Sequence, residues 1–519
     1  MKKYFLWMLA AVLTCSLSAS LSSCSKDDDG KNDNTGDNTG GKTDVELAEY
    51  TIMYYAHGGG DLDPEALDNI DDFYNGNAAA KSKVRVAVCY KFSDAKSLAE
   101  NSPEPYEKYK KFWDAWSNCT ARFVVDPNVK SFSGVQSGGM NAYHEGSDNF
   151  THPDSLTSFI NWAKQAAPAK NYVLVISDHG GGYTPDDEVD QTMTRGIVYM
   201  DKADKTYGGK HFTLNSIVSA VNKSNTHLKA VYFDACVMNM CEYWYGMKDI
   251  ADYLMLSTFN TPGDGGSYDV LVNALASQDI ESALAEHCRY TVQKWDKNDP
   301  EGLHDMSAIR TSGIEAFGKA VKNFTDVLVE TYANGSAEAK EFIDIATSTA
   351  FKVTAPNPYY DLIDYVNDLN SNLPTEFGGV SQSLVNAFNK AAFCQESCVK
   401  LRNEKRQVEV SVLMGWEGKF DYISWNKKLT KVKWIKVYNP DGSGIYYDGP
   451  LDSPDITPDM NAITTDPWGS TFAATYEQTA WDKVTGWSRW IKANKTRPNP
   501  MHESLLDGFD FDDPKEDDE

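Results

Sequence analysis

Two short apolar segments, each followed by a polar motif, most constrain how this 519-residue chain can fold. Residues 230–233 (Ala-Val-Tyr-Phe) predict a buried strand, and Asp234-Ala235-Cys236 follows where that strand ends. Residues 172–176 predict a second strand, which is followed by His179 and three glycines. Because open α/β sheets place their ligand crevice at the carboxyl ends of the strands, two neighbouring parallel strands would bring His179 and Cys236 to one crevice.

This pair of residue types indicates nucleophilic catalysis. An imidazole is the usual base that makes a thiol a good nucleophile near neutral pH, and the glycines let backbone N–H groups approach a developing oxyanion. Alternatively, Cys236 is a small buried hydrophobic residue, or His179 is a metal ligand. The chain has no H-E-x-x-H or H-x-x-E-H motif for a metal. His57, also followed by three glycines, resembles a lipase oxyanion motif, but without a G-x-S-x-G motif a turn is favoured.

Strand-like and helix-like segments alternate through the first half of the chain, which predicts an α/β fold with a parallel-rich sheet flanked by helices. Further strands are predicted at 50–56, 84–90, 121–125 and 252–257, and helices at 64–73, 154–165 and 213–221. After residue 278 the pattern becomes mixed helical and β, with helices at 313–332, 381–392 and 481–492, a strand at 408–414 and a β-ribbon at 429–447. We therefore predict a catalytic domain over 49–278 and a C-terminal α+β region over 279–500.

The N-terminus has the features of an export signal. Lys2-Lys3 precedes an apolar run over 4–20 that is too short to form a stable membrane span. Leu21-Ser-Ser-Cys24 resembles a bacterial lipobox, in which Cys24 is lipidated, and Ser25-Lys-Asp-Asp-Asp29 resembles the export signal of Bacteroidetes surface lipoproteins. We expect a signal peptide over 1–23, a flexible acidic tether over 24–48, an acidic disordered tail over 501–519, and a lipid-anchored protein of the outer membrane exposed at the cell surface.

The net charge bears on the class of binding partner, and the cysteine count bears on the state of the thiols. The formal net charge is −26 and basic patches are absent, which excludes nucleic acid as a partner. Once Cys15 and Cys24 are set aside, seven cysteines remain, an odd number that predicts at least one free thiol. Cys394 and Cys398 are spaced i, i+4 on a predicted helix, and we favour structural thiols over a metal site there.

The order of the two motifs, histidine first and cysteine second, resembles that of caspase-like (clan CD) cysteine peptidases. The local sequences resemble those of the clostripain family. The matching segments are Asp154–Ala163, Ser177-Asp-His-Gly-Gly-Gly182, Phe233-Asp-Ala-Cys-Val-Met238 with Glu242 after it, and Thr261–Asp269, with weaker likeness at Tyr360-Asp-Leu362 and Thr485-Gly-Trp487. The resemblance implies a caspase-like fold.

The resemblance also implies a role for each site residue. His179 would be the general base and Cys236 the nucleophile, with the oxyanion on the backbone N–H groups of Gly180 and Cys236. Asp234 and Asp264 would be carboxylates of the S1 pocket, which implies cleavage after Arg or Lys in peptide or protein substrates. Alternatively, Asp234 hydrogen-bonds backbone at the strand end and Asp264 is a turn residue.

Three further expectations follow from the resemblance. An activating cut is expected between the two motifs, at Arg195, Lys202, Lys205 or Lys210. No cofactor is needed for the chemistry. A calcium requirement is suggested by the family resemblance alone. The alternative function is a non-catalytic binding lipoprotein on a degenerate peptidase scaffold.

Overall fold

The computed structural model describes residues 47–57, 62–76, 78–101, 103–135, 141–145, 150–183, 212–354, 359–414, 434–438, 445–450 and 476–495. The chain divides into two units, Met1–Glu46 and Leu47–Glu519, and all described residues belong to the second. The predicted signal peptide, almost all of the tether, the segment with the expected activating cut and the acidic tail lie outside the described residues.

Fourteen strands occur in the described part of the chain. They are β1 (Ala48–His57), β2 (Val84–Lys91), β3 (Cys119–Val124), β4 (Asn141–Glu145), β5 (Ala169–Ser177), β6 (Leu228–Asp234), β7 (Ala251–Leu256), β8 (Asp305–Arg310), β9 (Lys352–Thr354), β10 (Tyr359–Asp361), β11 (Ala392–Ser397), β12 (Ser411–Leu413), β13 (Trp434–Tyr438) and β14 (Ile445–Pro450).

Sixteen α-helices occur in the same residues. They are α1 (Asp63–Asn75), α2 (Ala78–Lys83), α3 (Ala95–Asn101), α4 (Pro103–Trp116), α5 (Pro153–Ala166), α6 (Leu214–Lys223), α7 (Cys241–Met247), α8 (Tyr268–Ser277), α9 (Ile280–Asn298), α10 (Ile314–Asn334), α11 (Ala337–Thr349), α12 (Leu362–Asn372), α13 (Pro374–Ala391), α14 (Val399–Asn403), α15 (Ala480–Thr485) and α16 (Ser488–Lys495).

Nine strands form the main sheet among the described residues, in the order β11-β8-β7-β6-β5-β1-β2-β3-β4. The five central strands, from β7 to β2, run parallel, and the strands at both edges are antiparallel to their neighbours. Central strands such as β1 are apolar on successive residues because helices cover both faces of the sheet. The predicted α/β fold class is confirmed.

The two faces of the sheet carry separate hydrophobic clusters. One cluster packs side chains of α5, α6, α7, α10, α12 and α13 on the sheet and includes the buried Trp487 and Trp490 of the C-terminal segment. The other packs α1, α4, α8 and α9 on the opposite face. Helices from the C-terminal half of the chain, including α10, α12 and α13, thus complete the layer that covers one face of the sheet.

The sheet extends across the predicted domain boundary at residue 278. β8 and β11, both from the C-terminal region, pair with each other, and β8 pairs with β7 of the predicted catalytic domain. The C-terminal region also forms a three-stranded sheet, β12-β10-β9, and the β13–β14 hairpin that the predicted β-ribbon anticipated.

Two local predictions were wrong. Cys394 lies on strand β11 instead of a helix, because residues 392–397 pair with β8 and extend the sheet. The single helix expected over 481–492 is two helices, α15 and α16. They are separated at Gly486, whose φ of 62° is in the left-handed region that ends a helix.

Candidate active site

The two predicted motifs leave the sheet at the same edge. β5 and β6 are parallel neighbours, and Ser177 pairs with Asp234 at their carboxyl ends. His179 and Cys236 each lie two residues beyond this pair, so the register places them at equal depth past adjacent strands. The sequence therefore folds so that both chemistry-bearing residues lie at the same edge of the sheet, which is where open α/β sheets bind their ligands.

Gly180 brings the backbones of the two motifs into direct contact. A Cβ built on Gly180 would lie 2.6 Å from the backbone nitrogen and 2.9 Å from the carbonyl carbon of Cys236, and closer still to its carbonyl oxygen. Only a glycine fits at such an approach. His179, the residue before Gly180, and Cys236 are both half-buried, so both motifs remain accessible from the crevice.

A third element holds the thiol. The backbone N–H of Thr261, in the loop after β7, donates to the Sγ atom of Cys236 at 3.3 Å, and the Thr261 hydroxyl oxygen lies 3.6 Å from the same sulfur. The loop after β7 therefore fixes the position of the sulfur at the edge of the sheet.

The turn after Cys236 is strained. Val237 has a φ of 60°, an outlier for a β-branched residue, and its N–H donates to the Phe259 carbonyl at 3.0 Å. Strain of this kind persists only where surrounding structure holds it, and it concentrates at functional sites. The turn exposes Cys236 at the sheet edge while Val237 itself is buried.

Buried polar side chains fix the loops around the thiol. The amide group of Asn239 donates to the Thr258 hydroxyl at 2.9 Å and to the Glu409 carbonyl at 2.8 Å, and its oxygen accepts from the Trp244 indole at 2.8 Å. The carboxylate of Asp305 accepts from the backbone and hydroxyl of Thr258, both at 2.7 Å. These contacts hold the Cys236 turn against the loop that carries Thr261.

Asp178 ties the histidine motif to two neighbouring strands. One carboxylate oxygen accepts from the His179 N–H at 2.5 Å, and the other lies 3.1 Å from Nδ1 of the buried His57. The Asp178 N–H donates to the carbonyl of Asp234 at 3.3 Å. Asp178 thereby joins the ends of β1, β5 and β6 next to the candidate base. His57, which resembles part of a lipase oxyanion motif in the sequence, is the last residue of β1, and its ring contacts Asp178.

Asp234 is turned into the protein beneath the crevice. One oxygen of its carboxylate accepts from the Tyr268 hydroxyl and, at 3.3 Å, from the Gly266 N–H. Burial raises the pKa of Asp234 above its ordinary value. A carboxylate in this position would be stabilised by an approaching cation, which is what the S1 prediction requires.

Asp264 lies on the loop that covers Asp234 but has a different environment. Its side chain is half-buried, and its carboxylate accepts from the Asn298 amide at 2.5 Å. Lys294 donates to the backbone carbonyls of Asp264 at 2.8 Å and Gly266 at 3.2 Å, which fixes the loop. The structure therefore places Asp234 at the end of β6 beneath the loop that carries Asp264, while Asp264 itself is bound to the end of α9.

Several residues of this site were missed at the level of sequence. Thr261 carries a signal only through the Thr261–Asp269 segment, and His57 only through the three glycines that follow it. Asn239, three residues after Cys236, and Asp305, from the C-terminal region, carry none. Within the described ranges, no group of three or more His, Cys, Asp or Glu side chains is placed to hold a metal ion. No helix among the described residues is long and apolar enough to cross a bilayer.

Comparison with known proteins gives a consistent picture. A family model described as the clostripain family matches residues 134–487, more than half of the chain. Clostripain from Hathewaya histolytica is 25% identical over 246 residues, which are 43% of this chain and 42% of clostripain. The chain thus matches less than half the length of that relative.

Solved structures show the same fold. A secreted C11 cysteine protease from Bacteroides thetaiotaomicron, in complex with an irreversible peptide inhibitor, has a TM-score of 0.51 and 14% identity over 85% of this chain and 99% of that one. An inactive zymogen C11 protease from Parabacteroides distasonis has a TM-score of 0.50 and 12% identity over 85% of this chain and 98% of that one. With the match of the family model, the chain belongs to the clostripain family of cysteine peptidases.

Proposed function

We propose that the protein is a cysteine endopeptidase that cleaves after Arg or Lys. The observation that carries this proposal is the contact between Gly180 and the backbone of Cys236 at the ends of two registered parallel strands. Membership of the clostripain family supports the reaction class. The alternative, a binding lipoprotein on a degenerate scaffold, is disfavoured because both His179 and Cys236 are present.

In the proposed reaction, His179 accepts the thiol proton of Cys236, and the thiolate attacks the carbonyl carbon of the scissile bond. The N–H groups of Gly180 and Cys236 stabilise the oxyanion. Protonated His179 then gives its proton to the leaving amine, which leaves an acyl-enzyme thioester. Water attacks that thioester with His179 as base, and release of the acid restores the thiol.

Specificity for a basic P1 residue rests on Asp234 and, to a smaller extent, Asp264. Asp234 is buried beneath the crevice, where burial raises its pKa, so an Arg or Lys side chain would supply the compensating charge. Both carboxylates already accept hydrogen bonds, Asp264 from Asn298 and Asp234 from Tyr268 and Gly266. Because Asp234 is the more deeply buried of the two and so gains more from a compensating charge, we assign it the main role in binding the P1 cation.

Activation and location form separate parts of the proposal. We infer that a cut at Arg195, Lys202, Lys205 or Lys210 opens the site, and one structural neighbour is described as an inactive zymogen. We also infer a lipid anchor at Cys24 in the outer membrane, exposed at the cell surface; a structural neighbour is described as secreted. Calcium dependence stays a prediction, and no step above requires it.

A panel of peptide reporters with Arg, Lys, Asn, Asp and Leu at P1 tests the function. The wild-type protein should hydrolyse the Arg or Lys reporters, and Cys236→Ala should abolish this. Cys241→Ala is the matched control, because Cys241 is fully buried five residues away and should leave hydrolysis nearly unchanged. Hydrolysis retained in Cys236→Ala would reject the nucleophile. Labelling of Cys236 by an Asp- or Asn-directed inhibitor without cleavage of basic reporters would reject the S1 assignment.

A denaturing gel of the active protein tests the activating cut, because cleavage between the two motifs should give two fragments. Full activity in a preparation that remains uncut would contradict it. Metabolic labelling with a fatty-acid analogue tests the anchor, which should be lost in Cys24→Ala.

A further inference from the structure

Two cysteines that the proposed reaction does not use lie against each other at one edge of the main sheet. Cys288 is on α9 and fully buried, and Cys394 is on the edge strand β11 and half-buried. The Sγ atom of Cys394 lies 4.0 Å from the Ala285 carbonyl, one helical turn before Cys288. A helical side chain covers the turn N-terminal to its own Cα, so the Cys288 side chain projects towards this position.

The titration of the two thiols is linked. Each thiol is the largest influence on the pKa of the other, and this influence lowers the pKa of Cys394 and raises that of Cys288. Arg289, the next residue on α9, also lowers the pKa of Cys394. Cys394 is the more accessible of the two thiols and Cys288 is buried, so Cys394 is the thiol that an oxidant in solution reaches first.

We propose that Cys288 and Cys394 form a disulfide bond when the protein meets a thiol–disulfide oxidant, and that this bond clamps β11 to α9. The Cys394 thiolate attacks a sulfur of the oxidant's disulfide and expels one thiol, which leaves a mixed disulfide on Cys394. The Cys288 sulfur then attacks the Cys394 sulfur and expels the second thiol. Two protein thiols and one oxidant disulfide become one protein disulfide and two released thiols, which carry away both protons.

The position of this bond gives it a structural consequence. β11 is the last strand of the sheet and pairs only with β8 within the described residues, so one of its edges is open. Open edge strands are where sheets fray or pair with other chains. The bond would join residues more than 100 positions apart, and closure of so long a loop restricts the unfolded chain strongly. Cys236 would remain a free thiol.

Mass spectrometry tests the bond in a Cys236→Ala background, which removes the reactive nucleophile. The protein is incubated with oxidised glutathione, denatured and alkylated without reductant. We expect a mass about 2 Da lower for each bond formed, two fewer alkyl groups than in the reduced protein, and a linked peptide pair that contains Cys288 and Cys394. Full alkylation of both residues, or linkage of Cys394 to another cysteine, would overturn the proposal.

Matched variants separate the bond from general effects of losing a thiol. Cys394→Ala and Cys288→Ala should each abolish the linked pair. Cys398→Ala should retain it, because Cys398 is buried in a different cluster with Phe259 and Leu401. Reductant should lower the melting temperature by about 5 °C in the parent and in Cys398→Ala. It should have no effect in Cys394→Ala, and an unchanged melting temperature in the parent would overturn the clamp.

Discussion

Substitution of Gly180 by alanine tests the geometry on which the catalytic assignment depends. The new Cβ would lie 2.6 Å from the nitrogen and 2.9 Å from the carbonyl carbon of Cys236. Carbon atoms pack at about 3.5–4.0 Å, so the two segments would have to separate by about 1 Å. The nearest atoms are backbone atoms, which cannot rotate out of the way as a side chain could.

A separation of about 1 Å between the two segments should lower the rate of catalysis by a predictable amount. Misplacement of a reacting group by about 1 Å can cost about 100-fold in rate, which corresponds to about 2.7 kcal/mol of transition-state stabilisation. Overpacking costs about 1–3 kcal/mol of stability, against a total of about 5–15 kcal/mol for a typical domain. We therefore expect Gly180→Ala to fold, melt a few degrees lower and lose about 100-fold in kcat/KM.

The assay is hydrolysis of the best basic reporter, with circular dichroism and thermal melting on the same sample. Gly379→Ala is the matched control: Gly379 lies in α13, a Cβ there meets nothing within 4 Å, and alanine should stabilise the helix by about 0.5–1 kcal/mol. If folded Gly180→Ala keeps more than a third of the wild-type kcat/KM, the two motifs do not approach as described and the oxyanion assignment fails with them.

Substitutions at three further residues test other parts of the structure. Asp234→Asn should lower kcat/KM for the Arg reporter about 150- to 5,000-fold, because an unpaired ion of a buried pair costs about 3–5 kcal/mol; an equal loss on the Leu reporter would contradict a charge-specific role. Asp178→Ala should lower the free energy of unfolding by about 3–5 kcal/mol in urea titrations, because it leaves buried His57 without its carboxylate. Asp178→Asn, which keeps an acceptor for His179, should cost less, and the reverse order would argue against the hydrogen bond. Burial raises the pKa of Glu242 to about 7 from 4.5, so the folded protein keeps a proton that the unfolded chain releases, and stability should fall between about pH 4.5 and 7. Glu242→Gln should reduce that slope, and an unchanged slope would show that Glu242 does not titrate there.

The proposed catalytic pair could be located from the sequence because its signal is local. An apolar run long enough for one strand, followed by His179 and glycines or by Asp234-Ala-Cys236, identifies both a strand end and a reactive group within ten residues. The parallel alternation of strands and helices then requires such ends to meet at one edge. The contact at Gly180 is the physical consequence of that topology.

Helix boundaries were less predictable near glycine, because a glycine can either lie inside a helix or end one. The sequence predicted a helix over 381–392, whereas α13 begins at Pro374 and passes through Gly378 and Gly379. Buried Phe377 and Leu384 anchor that helix on the core, and tertiary packing outweighs the low helix propensity of glycine. At Gly486 the opposite holds: the residue adopts a left-handed conformation and ends a helix that the apolar pattern continued.

The supporting residues could not be predicted, because each acts through a contact that no local pattern encodes. Asp305 reaches Thr258 across 47 residues and Asn239 reaches the Glu409 backbone across 170, and a single Asp or Asn carries no periodicity. Yet these contacts hold the loop that aims the Thr261 N–H at the thiol. The proposed reacting residues can therefore be located from two short motifs, while their placement depends on the C-terminal half of the chain. A fragment that ends near residue 278 would keep His179 and Cys236 but lose Asp305, β8 and β11. We expect such a fragment to lack both a stable sheet edge and a correctly held nucleophile.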